Sequence, residues 1–347
     1  MREIDINLKE NSYRITVESG LLSSIGAYVK AERVLIVTDE NVAPLYLDTV
    51  LGSLKNAASL VLPAGESTKS LSCLEAVYSA LIENNITRAD MLIALGGGVI
   101  GDLAGLAAAT YLRGIRYMQV PTTLLAQVDS AVGGKVAIDL EQGKNLVGAF
   151  YQPACVLIDP DTLNTLPQRV FTDGLGEVVK YGCIDDRALF ALLEKHPTRA
   201  EIMKYIEEII TICLCHKQKY VERDERDTGV RMALNFGHTI GHAIETAQRY
   251  EGLRHGEAVA AGMCLMTRLS EERGLSEKGT AERLEALVKS IGLPKSAHVP
   301  GGIVPYLKLD KKHLNSVLTC VLLKEIGEHF LFKTDAAFFA GVDAWLI

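Results

Sequence analysis

The chain has 347 residues, of which 48% are hydrophobic, and a formal net charge of −7 at pH 7. This length accommodates two domains with a large core, and no run of Lys or Arg is long enough to indicate a nucleic-acid or membrane-surface patch. The first residues alternate charged and apolar side chains, unlike an export signal, so we expect a cytoplasmic protein that acts on small molecules.

Short β-branched runs alternate with helical patterns over the first 160 residues. The runs cover 33–38, 59–62, 90–95, 117–120 and 155–158. This alternation predicts a parallel α/β sheet. The apolar stretch 91–110 has about membrane-spanning length, but Asp102 and five glycines within it favour a loop that enters a buried helix.

Amphipathic helical patterns dominate the rest of the chain, at 188–215, 238–249, 257–273 and 280–291. We place the boundary in a turn-rich segment, which predicts domains at 1–162 and 163–347. The second domain is expected to be all-α, although the apolar runs 316–323 and 330–332 are compatible with a short hairpin.

Glycines follow the third predicted strand and open a helical pattern, in Gly96-Gly-Gly-Val-Ile-Gly-Asp102. Glycines at this place let backbone N–H groups approach a pyrophosphate at a helix N-terminus, although a tight strand-to-helix turn would use the same residues. Asp39 follows the first predicted strand, where it could bind a ribose hydroxyl or cap a helix. Together these features favour a bound dinucleotide.

Polar residues between glycines at 121–145 indicate a site for a polar ligand. Lys135 and Lys144 could bind phosphate, while Asp129 and Asn145 could bind hydroxyls. The alternative for Lys144 and Asn145 is a solvated loop.

Three of the eight histidines, His238, His242 and His255, lie close together in the sequence. The first two share a helix face, and neutral imidazole is a common metal ligand. Glu177 and Lys180 lie one helical turn apart, a spacing that is most often a solvated ion pair. A carboxylate with two or three imidazoles suits Zn²⁺ with an open position for substrate, and the spacing leaves the ligand set open. A nucleotide and a metal together favour hydride chemistry on an alcohol.

Six segments occur in an order that is typical of one enzyme family. They are Gly96-Gly-Gly-Val-Ile-Gly-Asp102, Gln119-Val-Pro-Thr-Thr-Leu-Leu125, Gln127-Val-Asp-Ser-Ala-Val-Gly-Gly-Lys135, Gly143-Lys-Asn145, Asn235-Phe-Gly-His-Thr-Ile-Gly-His242 and His255-Gly-Glu257. With them the chain resembles the 3-dehydroquinate synthases over most of its length. The resemblance implies an α/β N-terminal Rossmann-like domain with a parallel sheet, an all-α C-terminal domain, NAD⁺, a divalent metal (Zn²⁺ or Co²⁺) and a homodimer.

The resemblance also implies roles for individual residues. The metal ligands would be Glu177, His238 and His255, whereas His242 would face the substrate and exchange a proton. Further substrate contacts would come from Asp129, Lys135, Asn145, Lys180, Lys217, Arg231, Asn235, and one or both of Lys311 and Lys312. Arg113 would reach the phosphate bound by the neighbouring subunit. NAD⁺ would contact Asp39, Asn41, Glu66, Lys69, Gly97, Gly98, Val99, Asp102, Thr122, Thr123, Leu125, Asp129, Lys144 and Thr165.

The reaction implied by the resemblance converts 3-deoxy-D-arabino-heptulosonate 7-phosphate to 3-dehydroquinate and phosphate. NAD⁺ would oxidise the C5 alcohol, phosphate would leave by β-elimination, and the hydride would return before ring opening and an intramolecular aldol closure.

Three alternatives share parts of this pattern. Other sugar phosphate cyclases differ at the positions of Asn235, His242 or the Lys311–Lys312 pair, all of which match here. A metal-dependent polyol dehydrogenase would not require so many cations for a substrate without phosphate. A catalytically inactive nucleotide-binding regulator would lack a metal ligand or a lysine, and none is missing.

Overall fold

The computed structural model describes residues 1–307 and 318–347. They divide into two compact units, one of Met1–Leu166 with Lys217–Arg226, the other of Pro167–His216 with Asp227–Ile347. The division into domains 1–162 and 163–347 stays a prediction. A single boundary cannot place the segment Lys217–Arg226 in the first unit, where the compact units have it.

A parallel sheet forms the centre of the first unit. The strands of this unit are β1 (Arg2–Ile6), β2 (Tyr13–Val17), β3 (Val34–Asp39), β4 (Ala57–Leu62), β5 (Met91–Gly96), β6 (Arg116–Pro121), β7 (Lys135–Leu140), β8 (Gly143–Phe150) and β9 (Cys155–Ile158). Seven of them form one sheet in the order β1-β2-β9-β6-β5-β3-β4, in which only the β1–β2 pair is antiparallel. The strands β7 and β8 form a separate antiparallel hairpin.

Apolar side chains cover both faces of the sheet, as expected for parallel strands. The helices of this unit are α1 (Asp48–Gly52), α2 (Leu71–Glu83) and α3 (Gly98–Thr110). On one face, residues such as Leu35 and Leu92 pack with α2, α3 and β7. On the other, Ile36 and Ile93 pack with α1 and the segment Leu21–Tyr28. Successive strand residues therefore point into different apolar layers.

The five predicted strands are confirmed as β3, β4, β5, β6 and β9. The apolar stretch 91–110 consists of β5 and the buried helix α3, as predicted. Among the residues that the structure describes, no helix has the length and apolar character needed to cross a membrane. The strands β1 and β2 and the β7–β8 hairpin were not predicted.

Helices make up most of the second unit. Its helices and strands follow in chain order, and they include α7, which is shared with the first unit. They are α4 (Gln168–Ile184), α5 (Arg187–Lys195), α6 (Arg199–Ile202), α7 (Ile206–Arg223), α8 (His238–Ala247), α9 (His255–Glu272), α10 (Thr280–Ser290), α11 (Val304–Leu307), β10 (Leu318–Glu325) and β11 (Glu328–Thr334). The last part of α7, from Lys217 onward, belongs to the first unit. The expectation of an all-α second domain needs one correction, because β10 and β11 pair as an antiparallel hairpin where the two apolar runs suggested one.

Candidate active site

The residues predicted to contact NAD⁺ follow the carboxyl ends of adjacent parallel strands in the first unit. Asp39 ends β3, Glu66 and Lys69 follow β4, Gly97 and Gly98 follow β5, and Thr122 and Thr123 follow β6. Carboxyl ends of parallel strands meet at one edge of the sheet, which is where ligands bind in open α/β folds. The sheet order therefore brings most of the predicted set to one edge.

The glycine-rich turn between β5 and α3 leaves little room for side chains. A Cβ atom on Gly97 would lie 3.0 Å from Thr123 Cγ2, and one on Gly98 would lie 2.9 Å from Ser130 Oγ. The first N–H groups of a helix have no intrahelical partner, so this turn offers donors to a pyrophosphate.

Two buried hydroxyl groups next to this turn also indicate a ligand site there. Thr122 donates its backbone N–H to Gly96 O at 2.9 Å. Within the described residues, neither Thr122 Oγ1 nor Ser130 Oγ has a hydrogen-bond partner. Because buried polar groups in native proteins are normally satisfied, these hydroxyls fit a ligand that hydrogen-bonds there. The residues at this edge thus fit a dinucleotide.

The buried side chain of Lys69 contacts several of the other residues that were predicted to bind the cofactor or the substrate. Lys69 Nζ lies 2.9 Å from Asp102 Oδ2 and 3.7 Å from Glu66 Oε1, and it donates to Asn145 Oδ1. Lys144 Nζ lies 3.6 Å from Glu66 Oε1. A loop for Lys144 and Asn145 is wrong, because both belong to β8, and both contact this cluster although Asn145 is exposed.

Burial and charge act against each other in this cluster. Burial raises the pKa of Asp102 to about 6, against the opposing charge of Lys69. Burial lowers the pKa of Lys69, but the charges of Asp102 and Glu66 outweigh it and leave the pKa above its ordinary value. Lys69 is therefore a cation at neutral pH, as a phosphate-binding lysine must be.

Other predicted residues of the first unit lie apart from this cluster. Asp39 Oδ1 accepts hydrogen bonds from Asn41 N and Val42 N, so one carboxylate oxygen caps the following turn. Lys217 Nζ lies 2.7 Å from Asp129 Oδ1, which brings together two predicted substrate contacts 88 positions apart. The remaining ones are placed as follows: Lys135 begins β7, Arg113 is exposed after α3, Val99 lies in the first turn of α3, Leu125 follows β6, and Thr165 hydrogen-bonds Tyr46.

In the second unit, glycines allow α4 and α9 to approach each other closely. A Cβ atom on Gly176 would lie 2.3 Å from Gly256 O, and one on Gly256 would lie 1.8 Å from Asp173 O. Glu177 directly follows Gly176 in the chain, and His255 directly precedes Gly256. The close approach therefore sets the distance between a predicted carboxylate ligand and a predicted imidazole ligand.

Polar contacts fix the start of α9 against α4. Asp173 Oδ1 accepts from Gly256 N at 2.8 Å and from Glu257 N at 3.1 Å. Glu257 also accepts two hydrogen bonds of 2.7 Å from the guanidinium of Arg169. Since an acceptor at a helix N-terminus stabilises the first turn, these contacts hold His255 in place.

Glu177 lies between two imidazoles. Its Oε1 is 3.3 Å from His255 Nε2 and 3.5 Å from His238 Nε2. Its Oε2 pairs with Lys180, and both side chains are almost fully buried. A solvated ion pair for Glu177 and Lys180 is therefore excluded, and burial of these charges requires specific partners.

The geometry of this group fits a zinc-like cation. One donor atom from each of Glu177, His238 and His255 lies within 4.8 Å of the others. Tetrahedral ligands at about 2.0–2.1 Å from Zn²⁺ lie roughly 3.3–3.4 Å apart, close to the two distances above. Three protein ligands of this type leave a position for substrate.

The two histidines have opposite pKa shifts. Burial lowers the pKa of His238 to about 3, so its ring is neutral and keeps a lone pair. Burial also lowers the pKa of His255, but hydrogen bonds and charges from Glu177 and Glu245 outweigh it and raise the pKa to about 10. A ring held between two carboxylates favours a positive charge, which a metal ion would supply.

The remaining predicted residues of the second unit differ in burial. The ring of His242 lies 5.4 Å from that of His238 and 5.9 Å from that of His255, measured between centroids. Arg231 is almost completely buried, while Asn235 is exposed. Lys311 and Lys312 lie outside the described residues.

Sequence reasoning missed several residues of these two groups. They are Glu245, Asp173, Ser130 and Tyr46, of which the last three carry no local signal in the sequence. Glu245 lies seven residues after His238 on the same helix, a spacing that places both on one face. That spacing is the signal that could have identified it.

Models of protein families match most of the chain. The model described as 3-dehydroquinate synthase N-terminal matches residues 59–173, and that described as 3-dehydroquinate synthase C-terminal matches residues 174–313. The chain belongs to the 3-dehydroquinate synthase family. Its members include a 3-dehydroquinate synthase of Clostridium botulinum (strain Alaska E43 / Type E3), 47% identical over 98% of this chain and 100% of the relative.

Solved structures of related enzymes share the fold. A 2-deoxy-scyllo-inosose synthase complexed with carbaglucose-6-phosphate, NAD⁺ and Co²⁺ has a TM-score of 0.89 at 26% identity, covering 99% of this chain and 100% of that chain. ValA, a 2-epi-5-epi-valiolone synthase from Streptomyces hygroscopicus subsp. jinggangensis 5008 with NAD⁺ and Zn²⁺ bound, has a TM-score of 0.88 at 27% identity, covering 97% of each chain. The chain is thus an enzyme of this lyase family, with the fold of the sugar phosphate cyclases.

Proposed function

We propose that this chain converts 3-deoxy-D-arabino-heptulosonate 7-phosphate to 3-dehydroquinate and inorganic phosphate, a step of the shikimate pathway. The observation that carries the proposal is the 47% identity over nearly the whole chain to a 3-dehydroquinate synthase, against 26% and 27% for the two structural neighbours with other cyclase activities. The geometry supports it, since the sheet edge fits a dinucleotide and the Glu177 group fits a divalent cation.

NAD⁺ and Zn²⁺ or Co²⁺ are the cofactors we propose. When bound, they supply a reversible oxidation of a substrate alcohol and a Lewis acid that polarises its oxygen. The α3 N-terminus, with Thr122, Lys69 and Asp102 near it, would hold the dinucleotide. Glu177, His238 and His255 would hold the metal ion.

The substrate carries a phosphate and a carboxylate, and anions that leave water need cationic partners. The chain provides buried or half-buried cations for this purpose. Lys217 is held by Asp129, Lys180 is held by Glu177, and Arg231 is almost fully buried. Lys135, Asn145, Asn235 and one or both of Lys311 and Lys312 complete the substrate contacts that we propose.

His242 is the proton carrier in this proposal. It lies beside the two histidine ligands but does not belong to the Glu177 group. A histidine outside the ligand set keeps a ring nitrogen for proton exchange with the substrate.

A substrate panel separates this function from the related cyclases. We expect phosphate release from the heptulosonate phosphate, and none above background from a heptulose phosphate or a hexose phosphate, because only the first carries the carboxylate. The assay would contain NAD⁺ and Zn²⁺ and quantify inorganic phosphate. Faster release from a hexose phosphate would contradict the proposal and assign the chain to the other cyclases.

We also propose a cytoplasmic homodimer in which Arg113 reaches the neighbouring subunit. Leu146 and Phe150 on β8 and Leu112 beside Arg113 are exposed apolar side chains. The Tyr151 hydroxyl, just after β8, donates to Ile115 O at 2.8 Å and joins the two segments. Exposed apolar side chains on neighbouring segments are a feature of interaction surfaces. Light scattering should give the mass of two chains, and the mass of one chain would contradict this part.

A further inference from the structure

Each of the two histidines in the Glu177 group has a hydrogen-bond acceptor at its outer ring nitrogen. His238 Nδ1 lies 3.1 Å from Phe236 O, and His255 Nδ1 lies 3.4 Å from Glu245 Oε2. The Nε2 atoms of both rings face Glu177 Oε1. An acceptor at Nδ1 fixes the ring proton there and leaves the Nε2 lone pair for a metal ion.

The two acceptors differ in kind. Phe236 O is a backbone carbonyl, positioned by the turn that precedes α8. Glu245 is a side chain on α8 that is only 5% exposed, and burying a carboxylate is costly unless a partner offsets it. One oxygen of this carboxylate, Oε2, lies 3.4 Å from His255 Nδ1. The contact with the His255 ring offsets part of the cost of burying this carboxylate.

We propose that Glu245 is a positioning residue of the metal centre, whose negative charge holds the proton of His255 at Nδ1 and thereby keeps the Nε2 lone pair directed toward the ion. The inference rests on the proposed function, since it presupposes the Glu177, His238 and His255 site. Packing maintains the contact, because a Cβ atom on Gly262 of α9 would lie 2.1 Å from Gly237 O at the start of α8. The two helices that carry Glu245 and His255 are thus in backbone contact.

A second cation is the competing explanation. His242, Glu245 and His255 also bring one donor atom each within 4.8 Å of one another. However, a neutral imidazole has a single lone pair, and Glu177 and Glu245 lie at opposite nitrogens of His255. His255 could bind both ions only by losing its ring proton, so the positioning role is favoured.

The test is the Zn²⁺ affinity of the full chain with Glu245→Gln, measured by competition with a chromophoric chelator after metal removal. The substitution keeps the shape of the side chain and removes its charge. The matched control is Glu285→Gln, which removes a carboxylate that pairs with Arg268 and Lys295 in the same unit. Loss of a partner of this kind typically weakens metal binding about 10- to 100-fold, and we expect that loss for Glu245→Gln alone.

Each outcome decides the question. Weaker binding of one ion per chain in Glu245→Gln, with thermal unfolding of the metal-free protein equal to that of the control, supports the proposal. Unchanged affinity overturns it, and so does a wild-type chain that binds two ions of which the variant loses only the second. A wild-type chain that binds no Zn²⁺ overturns the metal part of the proposed function as well, so the two failures are distinguishable.

Discussion

His255→Ala is expected to empty the metal site and abolish turnover, whereas His242→Ala should retain the metal and slow catalysis. His255 Nε2 lies 3.3 Å from Glu177 Oε1, so its loss leaves two ligands for the ion. Loss of the Lewis acid removes several kcal/mol of transition-state stabilisation, roughly 1,000-fold or more in rate. Loss of a proton carrier alone costs about 100- to 10,000-fold.

Metal content and phosphate release, measured on both variants, decide the assignment of the three histidines. His242→Ala is the matched control, because it removes an imidazole from the same cluster without touching the Glu177 group. Equal loss of metal from both variants would contradict the ligand set, and full activity in His255→Ala would contradict the metal site itself.

Gly176→Ala is expected to disrupt the same site without changing any ligand. The added Cβ would lie 2.3 Å from the carbonyl oxygen of Gly256, a backbone atom, so α4 and α9 must move apart. Overpacking of this kind costs about 1–3 kcal/mol and occasionally more. Since Glu177 and His255 adjoin the two glycines, we expect weaker Zn²⁺ binding together with a lower Tm.

Gly52→Ala is the control for the substitution itself, because a Cβ there would meet nothing within 4 Å. It should leave the Tm and the Zn²⁺ affinity unchanged. If Gly176→Ala behaves like this control in both measurements, the close approach of α4 and α9 does not determine the site.

Much of the first unit could be predicted from local patterns. The strands β3, β5 and β9 are continuous apolar runs between turn residues. Such runs can be recognised from the local sequence alone. The hairpin of β7 and β8 was missed because its glycines and polar residues, such as Lys135, Gly143 and Asn145, have low strand propensity. Tertiary packing against α3 stabilises the hairpin instead.

Spacing in the sequence identified some of the site residues but not their individual roles. Spacing alone identified the histidine cluster but could not separate His242 from His238, because both occupy one helix face. The Glu177 contacts separate them, and those depend on the α4–α9 crossing at Gly176, which has no signature in the local sequence. Glu245 could not be assigned for the same reason, since its partner His255 lies on another helix.

A transient oxidation of the substrate regenerates NAD⁺ in every turnover, so the ratio of phosphate to NADH distinguishes it from a net oxidation. The full chain would be given 3-deoxy-D-arabino-heptulosonate 7-phosphate with Zn²⁺ and a small fraction of an equivalent of NAD⁺, and both phosphate and NADH would be quantified. We predict many phosphates released per NAD⁺ with no net NADH. Accumulation of NADH without phosphate release, as a polyol dehydrogenase would give with its alcohol, would show that the oxidation is not transient and that the proposed reaction is wrong.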